Sequence, residues 1–205
     1  AVVLVDARST GAFKKGHIEG AICFSAGKEL RHPPGDAKAM TFKSAAELAA
    51  AVGSKIGIDG TERVVIYDGG SLWSTLLFAA LERIGLENVA ILDGGLEGWE
   101  EAGYHLAKGE GPKVAPKTIK VKADDAVMAS NAMVASTKDR GDTILLDVRN
   151  IAQHAGLIKS NSAKTTGKIE GSVNLSARAL WSVEGFLKDP AASSWLLESQ
   201  GITKD

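Results

Sequence analysis

One thiol, four imidazoles and two acid–arginine pairs are the groups of this 205-residue chain best able to do chemistry. The thiol is Cys23. A single cysteine excludes an internal disulfide framework and a multi-cysteine metal site. It sits in an apolar stretch, where a cysteine packs as a small hydrophobe. A sulfur-carrying thiol needs an exposed site with positive surroundings, and no neighbour in sequence supplies one. The histidines stand at positions 17, 32, 105 and 154, and none has the i, i+4 spacing of a helical metal pair. Gly69-Gly70 lacks the lysine of a phosphate loop, and Gly94-Gly95 reads as a turn. The acid–arginine pairs are Asp6-Ala7-Arg8 and Asp147-Val148-Arg149, and each closes an apolar run.

Those pairs belong to a larger repeat. Gly16-His17-Ile18-Glu19-Gly20-Ala21-Ile22 returns as Gly167-Lys168-Ile169-Glu170-Gly171-Ser172-Val173. A helix-like stretch follows each, ending on Gly57-Ile58 and on Gly201-Ile202. Two copies of one domain are the simplest reading. Asp6 and Asp147 lie 141 positions apart, whereas Gly16 and Gly167 lie 151 apart. The second copy has therefore gained ten residues, in a polar stretch between Gly156 and Gly167. Insertions of this kind belong on surface loops. The first copy continues into Val64-Val65-Ile66-Tyr67-Asp68-Gly69-Gly70, a strand running into a glycine turn. Its counterpart is expected at about position 212, past Asp205.

The elements that must position these groups alternate. Short β-branched runs at Val2–Val5, Ala21–Phe24, Val64–Tyr67 and Val89–Leu92 read as buried parallel strands. Ser44, with Glu47 three residues on, predicts a capped helix over Ala45–Val52. Trp73–Ile84 reads as an apolar helix ended by Gly85, and Gly94–Ala102 as one ended by Gly103. His32-Pro33-Pro34-Gly35-Asp36 is a loop. A polar Gly/Pro stretch, 109–117, reads as a linker. Thr118–Lys122 then reads as the opening strand of the second copy, Asp125–Thr137 as its first helix and Thr143–Leu146 as its next strand. The expected organisation is a first domain over 1–108, a linker over 109–117 and the N-terminal part of a second domain over 118–205. The fold class is α/β, each domain a parallel sheet flanked by helices. Trp73, Trp99, Trp181 and Trp195 could suggest an aromatic binding surface, but Trp73 and Trp99 fall on helices that must pack on the sheet, so packing is expected.

Bulk numbers set the outer limits. Apolar residues make up 44% and charged residues 24%, ordinary for a globular chain. A net charge of −1 offers no basic field for nucleic acid or an anionic membrane, so neither is expected as a partner. No apolar run approaches the roughly 18 residues of a membrane-spanning helix.

The ordered motifs resemble the rhodanese family, the tandem sulfurtransferases. The matching residues are Asp6-Ala7-Arg8, Gly16 to Ala21, Val64 to Asp68, and Leu92-Asp93-Gly94-Gly95-Leu96-Glu97-Gly98-Trp99. In the second copy they are Asp147-Val148-Arg149, Ile169 to Asn174, and Gly185 to Asp189. The polar insertion is also similar to that of periplasmic multidomain members, which slightly favours a periplasmic over a cytoplasmic location. The resemblance implies a cysteine on the strand-end turn that takes a sulfane sulfur from a donor such as thiosulfate or mercaptopyruvate. The persulfide then passes its sulfur to cyanide or a thiol. Backbone N–H groups and a helix N-terminus on such a turn stabilise thiolate and persulfide anions. No cofactor or metal is implied.

In the first copy the nucleophile position is Asp68, which cannot hold a persulfide. That copy is expected to be inactive, with Asp68 either capping the turn or serving as a general base. The active cysteine is expected beyond residue 205, and the 205-residue chain alone is expected to have no turnover. Arg149, Gln153 and Arg178 are the candidate substrate-binding residues. Gln153 replaces an anion-binding arginine found four positions after the Asp-x-Arg arginine in several members. Lys159, Lys164 or Lys168 is a possible substitute. A second polypeptide completing the second domain is a further expected partner. The alternatives are a non-catalytic module of the same fold used in binding or regulation and, more distantly, a phosphatase-like relative with a longer loop.

Overall fold

The computed structural model describes residues 1–36, 41–137, 140–159 and 164–203. They form two compact units, Ala1–Met128 and Ala129–Asp205. Four of the residues inserted in the second copy, 160–163, lie outside the described residues.

The first unit carries four parallel strands, β1 (Val2–Asp6), β2 (Ile22–Cys23), β3 (Arg63–Tyr67) and β4 (Val89–Ile91), in the order β2-β1-β3-β4. Between them run α1 (Thr10–Lys15), α2 (Ala26–Glu29), α3 (Ala45–Lys55) and α4 (Trp73–Arg83), and α5 (Gly95–Glu101) follows β4. Parallel strands need crossovers, and helices on both faces bury the sheet. Successive side chains of a strand point to opposite faces, and two apolar clusters follow. Val5, Val64 and Ile66 pack with Leu30, Leu48, Val52, Leu77 and Leu81 of the segments around α2, α3 and α4. Tyr67 packs on the other side with Phe13 of α1, Ile18, Ala21 and Leu96 of α5. Helix α3 begins with the expected reciprocal cap: Ser44 Oγ accepts from Glu47 N at 3.3 Å, and Glu47 Oε2 accepts from Ser44 N at 2.8 Å.

The strand expected at Thr118–Lys122 does not form. That stretch is an extended strap laid on the first unit. Ile119 is buried in the first unit's core. Lys117 N donates to Gly53 O at 2.9 Å, Lys122 N to Ile84 O at 3.2 Å and Asp124 N to Arg83 O at 2.9 Å. The strap's N–H groups satisfy carbonyls near the ends of α3 and α4, which lack partners within their own helices. Burial of Ile119 supplies the apolar gain. The strap passes so close to α3 that a Cβ on Gly53 would lie 2.3 Å from Lys117 O. Upstream, Gly109 N donates to Lys14 O and Lys14 pairs with Glu110, so the Gly/Pro stretch is also tied to this unit.

The second unit holds α6 (Asn131–Ser136), β5 (Leu146–Asp147), α7 (Ile151–His154), β6 (Val173–Asn174) and α8 (Pro190–Glu198), with a 3-10 turn at Ala177–Leu180. The single helix expected over Asp125–Thr137 is instead a short 3-10 turn, Asp125–Val127, followed by α6, which Ser130 caps afresh. β5 and β6 pair in parallel, Leu146 with Val173 and Asp147 with Asn174. In the first unit β1 is paired on both edges; among the described residues β5 is paired on one. Accordingly Val148 is 51% exposed where its counterpart Ala7 is 1%. Among the described residues no helix is long and apolar enough to cross a membrane.

Candidate functional site

The two acid–arginine pairs fold into the same clamp. Asp6 ends β1, fully buried, and accepts from Arg8 N (2.9 Å), Nε (3.0 Å) and Nη2 (2.6 Å). Arg8 Nη2 also donates to Gly16 O at 2.6 Å, tying the strand end to the Gly16–Ala21 loop. In the second unit Arg149 N (3.0 Å), Nε (2.9 Å) and Nη2 (2.6 Å) reach Asp147, and Nη2 reaches Gly167 O at 2.9 Å. Charge-assisted, multidentate bonds of this kind fix geometry as well as energy. The hydrogen bonds from the Arg149 side chain hold the Asp147 carboxyl well below its usual range. Burial of Arg8 works against its charge, and the bonds and charge of Asp6 outweigh that and raise its pKa.

A third donor completes each acid, and here the units differ. Tyr67 of β3 hydrogen-bonds Asp6, and its hydroxyl accepts from Ile18 N at 3.0 Å. Burial first, then the Asp6 charge, push the Tyr67 phenol upward. In the second unit His154 of α7 takes that place, its Nδ1 3.0 Å from Asp147 Oδ2. Lys168 Nζ lies 3.1 Å from His154 Nε2. The corresponding residues of the first unit are Phe13 and His17, stacked at 3.8 Å between ring centroids, with His17 Nδ1 3.0 Å from Phe13 O.

The strand-end turn lies after β3. Asp68 is buried and serves as its own turn's anion. Oδ1 accepts from Ser71 N at 3.1 Å, and Oδ2 accepts from Ser74 N, in the first turn of α4, at 2.8 Å. Gly70 turns the chain at φ +66°. The neighbouring Gly94-Gly95 turn packs on the same residue: Leu96 N donates to Asp68 O at 2.9 Å, and a Cβ on Gly95 would lie 2.7 Å from that oxygen. Glu97 Oε1 stands 3.3 Å from the place a Cβ on Gly69 would take, so a second carboxylate faces the turn. Backbone donors that could stabilise a thiolate are thus bonded to a carboxylate. Such a turn has no sulfur nucleophile.

The remaining candidates are dispersed. Arg149 is committed to the clamp. Gln153 lies half-buried on α7, where its N–H donates to the capping Asn150 Oδ1 at 2.9 Å. Arg178 is exposed on the 3-10 turn Ala177–Leu180. Lys159 and Lys164 are exposed. Cys23 is half-buried, its Sγ 4.0 Å from Thr10 Oγ1, and burial raises its pKa, which disfavours the thiolate. What the structure brings together is Asp147, Arg149, His154 and Lys168. His154 was overlooked in the sequence. The available signal was the alignment of the copies, which sets His154 against Phe13 and Lys168 against His17. Among the described residues no group of three or more His, Cys, Asp or Glu side chains could hold a metal ion.

Comparison with known proteins adds the following. A family model described as a rhodanese-like domain matches residues 1–102. SseB of Mycobacterium tuberculosis, described as a candidate thiosulfate sulfurtransferase, is 30% identical over 93% of this chain and 67% of its own length. The thiosulfate sulfurtransferase of Bos taurus is 26% identical over 91% of this chain and 63% of its own. The 3-mercaptopyruvate sulfurtransferase of Escherichia coli K12 is 26% identical over 94% of this chain and 68% of its own. Among solved structures, YnjE superposes with a TM-score of 0.86 at 19% identity, covering 98% of this chain and 50% of that one. The EanB structure also gives 0.86 at 19% identity, over 98% and 52%. These structural likenesses bear on fold alone, and the chain spans about half the length of both.

Proposed function

Because the chain belongs to the rhodanese family, we propose that it forms part of a sulfurtransferase whose nucleophilic cysteine lies outside residues 1–205. The cysteine thiolate attacks the outer sulfur of a donor such as thiosulfate. The sulfur–sulfur bond of the donor breaks, and sulfite leaves with its electron pair. The persulfide then yields its outer sulfur to cyanide or a thiol, and the thiolate is regenerated. The first unit takes no covalent part in this cycle, since Asp68 fills the turn with its own carboxylate.

The observation that carries the reading is the duplicated clamp. Asp147, Arg149 and Gly167 repeat the bonds of Asp6, Arg8 and Gly16. A second unit on the same plan would place a strand against the open edge of β5, as β3 pairs with β1, and end it in a turn like that of Asp68. The strand and turn come from chain following residue 205 or from a second polypeptide. Relatives named as sulfurtransferases support sulfur transfer as the chemistry. Arg149 and Arg178 remain the cations proposed to meet an anionic donor, Arg149 through any donor capacity left by the clamp. Gln153 stands beside them in the proposed binding set.

The test is the residue near position 212 of the parent protein and its mass after incubation with thiosulfate. A cysteine there that gains about 32 Da, the mass of one sulfur, reversed by cyanide, supports the enzyme. Aspartate, alanine or serine there, with no adduct, supports the second reading, a non-catalytic module. Asp68 favours that alternative to the extent that one strand-end turn already carries a carboxylate and no thiol.

A further inference from the structure

The Asp147–His154–Lys168 chain has no counterpart in the first unit and no part in the sulfur chemistry above. His154 is 9% exposed and holds both ring nitrogens in hydrogen bonds. A lysine ammonium can only donate, so His154 Nε2 must accept. The ring proton therefore sits on Nδ1 and donates to Asp147 Oδ2. This arrangement requires a neutral imidazole.

The contact also occupies a structural neck. Gly156 and Gly167 bound the inserted stretch, and a Cβ on Gly156 would lie 3.4 Å from Gly167 Cα and from Gly167 N. His154 lies two residues before one side of that neck, and Lys168 follows the other. From Lys168 the chain runs through Gly171 into β6.

We propose that His154 and Lys168 form a proton-operated clasp, closed while His154 is neutral and opened when its Nε2 takes a proton. The protonated ring keeps its bond to Asp147, which becomes a full ion pair. Its new Nε2–H then faces the Lys168 ammonium donor to donor and cation to cation, and the lysine swings into water. The charged groups set around the ring are Asp147 of β5, Arg149 of the turn after it, which shares the Asp147 carboxylate, and Lys168 of the loop before β6. Phe13 and His17 are the built-in comparison. There the histidine is the second member of the pair and stacks on an aromatic ring instead of bonding a carboxylate.

The test is NMR on the 205-residue chain across the histidine titration range, roughly pH 5 to 8. Imidazole 15N shifts at the alkaline end should report the Nδ1–H tautomer of His154. Amide exchange at residues 167–172, corrected for intrinsic rates, should rise several-fold as His154 takes its proton. Lys168→Met should retain the titration and lose the coupled rise. The double variant His154→Phe with Lys168→His, which installs the first unit's pair, should also show no rise and guards against a single variant that fails to fold. An Nε2–H tautomer, titration of His154 with unchanged exchange, or the same rise in the double variant would each overturn the clasp.

Discussion

At the scale of single residues, the chain shows what a buried carboxylate requires. Asp6 is fully buried and Arg8 is its main counter-charge. Removing one partner of a buried pair leaves the other uncompensated, at a cost of about 3–5 kcal/mol. Arg8→Met should therefore lower the unfolding free energy of the first unit by a large share of that amount in urea melts. Arg149 is more exposed, so solvent screens its pair and Arg149→Met should cost less than Arg8→Met. Asp68→Ala tests a different balance. It strips the charged acceptor from the Ser71 N–H and from the Ser74 N–H in the first turn of α4, and loss of a hydrogen bond to a charged group costs about 1.5–3 kcal/mol. Asp68→Asn keeps one acceptor oxygen and should lie nearer wild type. The clamps were legible in the sequence because their residue types recur in order. The His154–Lys168 contact was not, although Lys168 stands among the candidate cations, since the counterpart residues Phe13 and His17 touch through different chemistry.

At the scale of elements, the strap decides the most. Thr118-Ile119-Lys120-Val121-Lys122 alternates as a strand should, and locally nothing distinguishes it from one. What overrides the pattern is non-local: one buried side chain and open carbonyls on two helices distant in sequence. Gly53 offers a test in which two effects oppose. Glycine inside a helix costs about 1 kcal/mol against alanine, so Gly53→Ala taken alone should stabilise α3. The added methyl would meet Lys117 O, which belongs to the backbone and cannot turn away as a side chain can. We expect net destabilisation, and faster amide exchange across residues 117–124.

The strap's ionic anchor has a pH signature. Lys117 meets Asp59 at 3.2 Å and also bonds Glu62. Hydrogen bonds from Thr61, then from Lys117, bring Asp59 down to about 2. Burial of Glu62 opposes its charge, and the bond from Lys117 prevails and lowers it. Carboxylates depressed by folding stabilise fully above their unfolded values and cease to do so as pH falls through their folded values. First-unit stability should thus decline as pH drops from about 4 towards 2. Lys117→Met should flatten that decline, read by urea midpoints at each pH.

At the scale of the molecule, the fold class was legible because strand and helix patterns alternate and the repeat fixes their order. The catalytic centre was not, since the strand-end turn among the described residues carries a carboxylate, Asp68, and no thiol. The 205-residue chain should show no thiosulfate:cyanide sulfurtransferase activity, and Cys23→Ser should leave that unchanged. Turnover by the wild-type chain that vanishes in Cys23→Ser would refute the assignment of the nucleophile to chain outside it.

The burial of Ile119 bears on how this gene can be divided. A cut after residue 108, where composition changes, would release a first fragment with an unfilled hole in its core and exposed carbonyls at the ends of two helices. The matching C-terminal fragment would begin with a polar tail that exposes Ile119, the side chain its former neighbour buries. Both pieces should be prone to aggregate for reasons unrelated to catalysis. A cut after Met128 keeps the strap with the surface it covers, and it gives the fragment boundary on which any separate study of the units should rest.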